Sequence, residues 1–379
     1  MEGLSGNLWP VHVKPYPYEL LSSWLVRLAH CHGLKLQTFC AIVFGRDKNI
    51  WNRDIDKFAP DWLVEAIATA TGTSINDVIN TTLKSYEGII YETHQPHGNT
   101  KWINPLGIYH RIHKHFGLQF CPICLAHDEE PYFRKYWRLA FYTECEKHHI
   151  LLHDRCPSCG YAINFHRVEM GVRSRIKPRS VINCFKCDYD LRDAPKVKLH
   201  CNDWQTTIQY RTFLDFHEIG WGFTNSLTVQ YLHQLFEVQR HLCVLLSSTR
   251  RANCLLPYIS KLLSFEIKIH DSYSGVTFEK LNVHDRHILF HCATWLILDW
   301  PTRFISVCKA HNLTYAYLLH DYVDPPFWFY SVIDSDLNCR QYSPTFEEIN
   351  SAKLYLLTNR QKANITKISR LLGYTTLKR

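Results

Sequence analysis

Eight residues between Cys121 and Cys187 carry the most specific chemistry in the sequence. They come as four pairs, Cys121/Cys124, Cys145/His148, Cys156/Cys159 and Cys184/Cys187, each with two residues between its members. That gap lets one tight turn aim two soft donors at a single ion, and two such pairs complete a tetrahedron. Pro122 and Pro157 preset the turns, and Gly160 follows the third pair where a left-handed backbone is useful. Buried free thiols would not recur at one spacing four times within 67 residues.

Pairing in chain order gives one site of three cysteines and a histidine and one of four cysteines. A cross-braced arrangement, first pair with third, satisfies the spacing equally. His149 and His153 are rival donors to His148, and the regular two-residue gap favours His148. Each site has four strong donors, whereas a catalytic zinc keeps a position open for water or substrate. Two structural Zn2+ ions are therefore expected.

Nothing else in the chain reads as a catalytic constellation. It has no Walker loop, no GxSxG and no HExxH. The acid pairs Glu129-Glu130 and Glu347-Glu348 are neighbours on surface-like segments. Most of the 23 histidines stand singly among apolar residues, where a hydrogen-bonded core histidine is the simplest reading. A non-enzyme is expected.

Positive charge is the second signal. The net charge of +8 is concentrated: residues 351–379 hold seven Lys/Arg and no acid, which leaves the first 350 residues near neutrality. Lys362, Lys367 and Arg370 of that tail, with Arg173, Arg175, Lys177 and Arg179 of a second cluster, are the candidate nucleic-acid contacts. Concentrated cations draw polyanions, though either cluster could also be a solvated face.

The elements that must position these groups read as mainly α with small zinc-ribbon elements. Residues 19–32 place Leu21, Trp24, Leu25, Leu28 and Ala29 on one helical face, and Gly33 ends the run. Leu36, Phe39, Cys40, Val43 and Phe44 repeat the pattern. Pro60 suits the first turn of a helix that Gly72 stops. Ser74 then caps another, with Ile75, Val78 and Ile79 inward and Asp77 near its positive end. Helix, Gly72-Thr73-Ser74, helix has helix-turn-helix spacing, with Asn76, Asn80, Thr81 and Lys84 on the outer face. A plain helical bundle fits the same residues.

Residues 85–118 look irregular, and helical texture returns beyond Trp204, broken at Pro301 and at Pro325-Pro326. The expected division is an N-terminal helical, helix-turn-helix-like domain (1–118), a double zinc-binding region (119–200) and a C-terminal helical domain with the basic tail (201–379). Residues 365–374 read as the first helix and turn of a further helix-turn-helix, its second helix starting near Thr376. A cut-off motif of that kind is expected to read DNA sequence poorly. No run approaches the roughly 20 apolar residues a membrane span needs. No secretory signal opens the chain, and fifteen cysteines then point to a reducing, cytoplasmic compartment.

Three segments together resemble the TniQ/TnsD family of transposition proteins. PYPYELLSSWLVRLAHCHG, from Pro15, is similar to the family's proline-rich entry into a Leu-Ser-Trp helix. FCPICL and YWRLAFYTECEKHHILLHDRCPSCG resemble its zinc region closely. DWPTRF at 299–304 and PPFW at 325–328 look like its helical C-terminal half. The resemblance implies a target-selection adaptor for Tn7-like transposition that recruits the transposon's AAA+ ATPase (TnsC-type). Members either sit on an RNA-guided Cascade-type complex, often as a homodimer, or bind attachment-site DNA directly. The RNA-guided role is the expectation. The alternatives are TnsD-type site-specific DNA binding and an unrelated zinc-ribbon transcription factor.

Overall fold

In the computed structural model, which describes residues 7–168, 180–216, 231–248, 255–266, 277–320, 322–338 and 344–373, the apolar periodicity of the first eighty residues becomes four helices. Helix α1 (Leu21–Cys31) buries Leu21, Trp24, Leu25, Leu28 and Ala29, and Gly33 at φ 68° follows its end. Helix α2 (Leu36–Val43) packs on it through Leu36, Phe39 and Cys40. Pro60 sits one position earlier than expected, as the N-cap of α3 (Asp61–Thr71). Gly72 closes that helix at φ 60°, a left-handed conformation that a Cβ would penalise. Ser74 caps α4 (Ile75–Asn80) by accepting the Asp77 N–H.

Two side chains of this helix pair are placed differently from expectation. Ile75 is 51% exposed, and it is Val78 that is fully buried. Thr81 is buried instead of lying on a polar outer face. Its hydroxyl donates to the Val78 carbonyl, and its own carbonyl accepts the Leu21 N–H. That anchorage on α1 stops α4 after six residues. Lys84 then lies in the next short 3-10 turn (Leu83–Tyr86), exposed like Asn76 and Asn80.

The middle of the chain is largely irregular. A two-residue hairpin, β1 (Ile108–Tyr109) with β2 (Ile112–His113), pairs Ile108 with His113 and Tyr109 with Ile112. The short helix α5 (Pro122–His127) begins at the first cysteine pair. Helices then dominate: α6 (Trp204–Leu214), α7 (Leu232–Ser247), α8 (Leu255–Leu262), α9 (Val283–Ile297), α10 (Thr302–Ala310), α11 (Tyr315–Leu318), α12 (Phe327–Leu337), α13 (Phe346–Thr358) and α14 (Ile365–Leu371). The described chain is thus mainly helical, as read from the sequence.

Helix α9 is buried on nearly every side, with α6, α7 and α8 around it. Trp102, from the irregular stretch, meets Phe141, Phe236, Phe278 and Phe290 edge-on at 5.3–6.1 Å between ring centres. Its indole N–H donates to the Phe236 carbonyl. Arg286 of α9 reaches back to the Ala140 carbonyl (2.6 Å) and Gln119 Oε1 (3.1 Å). One apolar core therefore runs from Leu20 to Leu337, across both proposed domain boundaries. The three-part division stays a proposal about organisation, since the parts share that core.

Buried histidines serve as hydrogen-bonded core groups. His113 Nδ1 meets the Ile163 carbonyl, His287 Nδ1 the Thr143 hydroxyl, and His291 Nδ1 the His287 carbonyl. Burial pushes His113 down to about 3 and His291 to about 4, and holds His166 and His287 well below the usual imidazole value. The unfolded chain takes up these protons below about 6.5 while the folded one refuses them. Their stability contribution is complete above pH 6.5 and is lost as pH falls towards 4. Denaturant unfolding should show a clear loss from pH 7.5 to 5.5, up to about 1.4 kcal/mol per histidine per unit. An equal stability at both values would contradict the neutral buried assignment.

The last two described helices stand on their own small core. Ala352 and Leu356 of α13 bury against Ile368 of α14. Thr345 and Glu348 form a capping box at the start of α13. Residues 365–371 are thus the second member of a helix pair. The further helix expected near Thr376 lies outside the described residues. Among the described residues no helix is long and apolar enough to cross a membrane.

Candidate metal centres

Three of the four ligand pairs sit on the same backbone device. The Cys145 N–H donates to the Ile150 carbonyl, Cys156 N–H to Tyr161, and Cys184 N–H to Tyr189. In each, the residue four places after the cysteine donates back to its carbonyl: His149, Gly160 and Asp188. All three of those residues have positive φ, at 50°, 68° and 67°. The chain must turn left-handed there to bring both donors round to one side, which glycine does without strain and Asp or His at modest cost. The first pair uses a helix start instead. Pro122 opens α5, and Cys121 Sγ accepts the Cys124 N–H.

The eight side chains gather into two groups of four in chain order, Cys121, Cys124, Cys145 and His148, then Cys156, Cys159, Cys184 and Cys187. Within each, the donor atoms lie within 4.8 Å of one another. His148 Nδ1 is 3.4 Å from Cys121 Sγ, 3.3 Å from Cys124 Sγ and 3.4 Å from Cys145 Sγ. In the second group Cys156 and Cys187 are 3.6 Å apart, and Cys159 and Cys184 3.7 Å. A tetrahedral ion with bonds of about 2.0–2.3 Å spans edges of roughly 3.5–3.8 Å, so both donor sets match one ion each. His149 Nδ1 is instead 3.4 Å from a Glu144 carboxylate oxygen, and His153 Nε2 meets the Pro195 carbonyl. The cross-braced alternative is not the arrangement seen.

The two centres differ in setting. The first is built into the main core: Cys121, Cys124 and Cys145 are buried beside Leu125, Tyr142 and Ile150. The second has Cys159 and Cys187 exposed. Thiols this close also share protons. Sulfhydryl bonds from Cys121 and Cys124 pull Cys145 down to about 2, while bonding to Cys121 pushes Cys124 up. Soft donors packed this closely suit a soft divalent cation. These are two Cys/His clusters that could each bind a metal ion.

The candidate nucleic-acid contacts divide. Lys362, Lys367 and Arg370 are exposed on and just before α14. Arg173, Arg175, Lys177 and Arg179 lie outside the described residues. Sequence reasoning passed over Asp54 and Asp56, which meet Arg138 beneath α1. It also passed over the cleft beside them, whose lining is scattered over more than two hundred residues. No local spacing signals either.

No curated protein matches the chain. A profile of the TniQ family matches residues 10–152. The match takes in α1 to α5 and the whole first metal cluster, and ends just before the second. TniQ proteins are Tn7-like transposition proteins and are generally non-catalytic. Residues 10–152, from Pro10 to the Leu-Leu that follows His148, are thus similar to the TniQ family domain.

Proposed function

We propose that this protein is a non-enzymatic target-selection adaptor for Tn7-like transposition, which links an RNA-guided Cascade-type complex to the transposon's AAA+ ATPase. The observation that carries the reading is the TniQ domain at residues 10–152, folded around a cluster with four donors and no open position. Both clusters hold Zn2+ as structural ions, because thiolate-rich tetrahedral sets select it and fold around it. Such sites brace a binding scaffold and leave chemistry to partners. Co-elution of the purified chain with the ATPase and with the guide complex tests this, as one assembly or as two pairwise complexes. Failure to bind either partner would overturn it.

A second reading rests on the separate α13–α14 pair and its exposed cations. In a TnsD-type protein this pair would touch attachment-site DNA. Phosphate contacts alone hold a duplex without reading it, and each adds about 0.9 to the logarithmic salt slope. If the adaptor reading holds, duplex binding is weak and indifferent to sequence. Replacing Lys362, Lys367 and Arg370 together by Ala then lowers the slope by up to about 2.7 and leaves guide-complex association intact. A preference of about 10³-fold or more for one duplex over scrambled DNA establishes the direct reader instead.

A further inference from the structure

A cleft of about 430 Å³ opens between residues 52–58, 96–108, His115 and Lys280. That is within the roughly 300–1,000 Å³ of small-ligand sites. Its walls are tied together. Lys57 Nζ donates to the Gly98 carbonyl, and His94 Nε2 meets the Lys57 carbonyl. Gly107 allows His115 to lie against the far wall, since a Cβ there would come within 2.2 Å of the imidazole.

The lining is richer in cations than in acids. Asp54 is its only acid, and it shares Arg138 with Asp56, the guanidinium meeting Asp54 at 2.6 Å. Arg53 and Lys280 remain as exposed cations, with no ion-pair partner among the described residues, while Lys57 is buried with its ammonium near Asp54. Aromatic groups stand beside them. The Phe58 and His97 rings are 5.0 Å apart and 36° tilted, and the Arg53 guanidinium lies 5.1 Å from the Phe58 centre. His97 and Arg53 are both exposed. Asn104, another lining residue, is fully buried with both amide atoms lacking a hydrogen-bond partner among the described residues.

We infer that this cleft binds an unpaired nucleotide of single-stranded nucleic acid. The base stacks on His97 or the Arg53 plane, and the phosphate lies by Lys280. Single-strand sites combine those two features, flat side chains for bases and cations for the backbone. The lining also brings Phe58, Pro96, Ile103, Pro105, Leu106 and Ile108, and an anion with a flat ring satisfies both the cationic and the apolar side of the cleft.

The test uses the full-length chain with fluorescein-labelled rA12 and dA12 and an abasic strand of equal length, read by anisotropy. Arg53, His97 and Lys280 are exposed, so their alanine variants keep the fold, which a thermal melt confirms. The abasic strand is expected to bind wild type about tenfold more weakly than the better dodecamer. His97→Ala with Arg53→Ala should erase that difference. Lys280→Ala should lower the salt slope by about 0.7. The rA12 and dA12 arms tell RNA from DNA. Equal binding of abasic and base-bearing strands overturns the assignment. So does full binding by the cleft variants together with loss in the Lys362/Lys367/Arg370 triple variant, which would put the strand on the tail. If the cleft variants bind strands normally but no longer co-elute with the AAA+ ATPase, the cleft is a protein contact and the inference fails. Co-elution of wild type with the ATPase is a separate readout, so failure here leaves the adaptor reading standing.

Discussion

Removing zinc from the two proposed sites should unfold this protein's centre, and it should do so in two stages. Structural zinc contributes about 10–16 kcal/mol of apparent binding free energy, as much as the net stability of a typical domain or more. The second cluster should empty first, because Cys159 and Cys187 are exposed and a chelator can reach them. The first cluster should resist, since its three cysteines are buried within the main core. Metal analysis of protein purified without chelator should give two zinc ions per chain. Chelator titration followed by a metallochromic dye should release one ion quickly and one slowly. Only the slow phase should move tryptophan fluorescence strongly, because Trp137 and Trp102 share the core with the first cluster. Cys145→Ser should accordingly abolish soluble expression, while Cys187→Ser should give a folded protein with one zinc. Less than two equivalents in the wild type, or a single release phase, would contradict the assignment.

Replacing Arg138 by Met should cost about 3–5 kcal/mol at pH 8, the usual loss when one partner of a buried ion pair is removed. Arg138 is fully buried. Its guanidinium meets Asp54 at 2.6 Å, Asp56 at 3.3 Å and the Asn104 carbonyl at 3.0 Å. Asp56 also accepts the Ser22 N–H and hydroxyl, each at 2.8 Å. Burial, with Asp54 nearby, pushes the Asp56 carboxyl up to about 6 even with Arg138 present. Without the guanidinium that carboxyl rises further above its unfolded value. A group raised in this way favours the folded state only while protonated, so the variant loses stability as pH climbs. The gap between wild type and variant should therefore be widest at pH 8 and shrink towards pH 5. Asp56→Asn in the Arg138→Met background should recover part of the loss, because it removes the stranded charge and keeps an acceptor for Ser22. Denaturant unfolding at three pH values decides it, and a gap independent of pH would show that lost packing explains the effect.

What could be read without coordinates was local chemistry. Two residues between donors is a property of one turn, so the eight candidate donors stand out wherever that turn lies in the fold. The helix stops at Gly33 and Gly72 and the Ser74 cap are equally local, since each involves only a few neighbouring backbone groups. Which pairs share a site was open, because spacing says nothing about where separate turns meet. Packing settled it in chain order, with the Phe120–His153 and Glu144–Leu151 bridges drawing the Cys145 and His148 turn alongside the first pair. Ile75 and Thr81 exchanged their expected sides for a related reason. Helical periodicity finds a face, but the Leu21 N–H bound to the Thr81 carbonyl comes from sixty residues away and cuts α4 short. The Asp54–Asp56–Arg138 network and the cationic cleft beside it are the extreme case. Their residues are unremarkable along the chain and acquire their properties from burial and from partners some eighty to more than two hundred positions distant. Desolvation and long-range proximity exist only in the folded molecule, so these features belong to the tertiary structure.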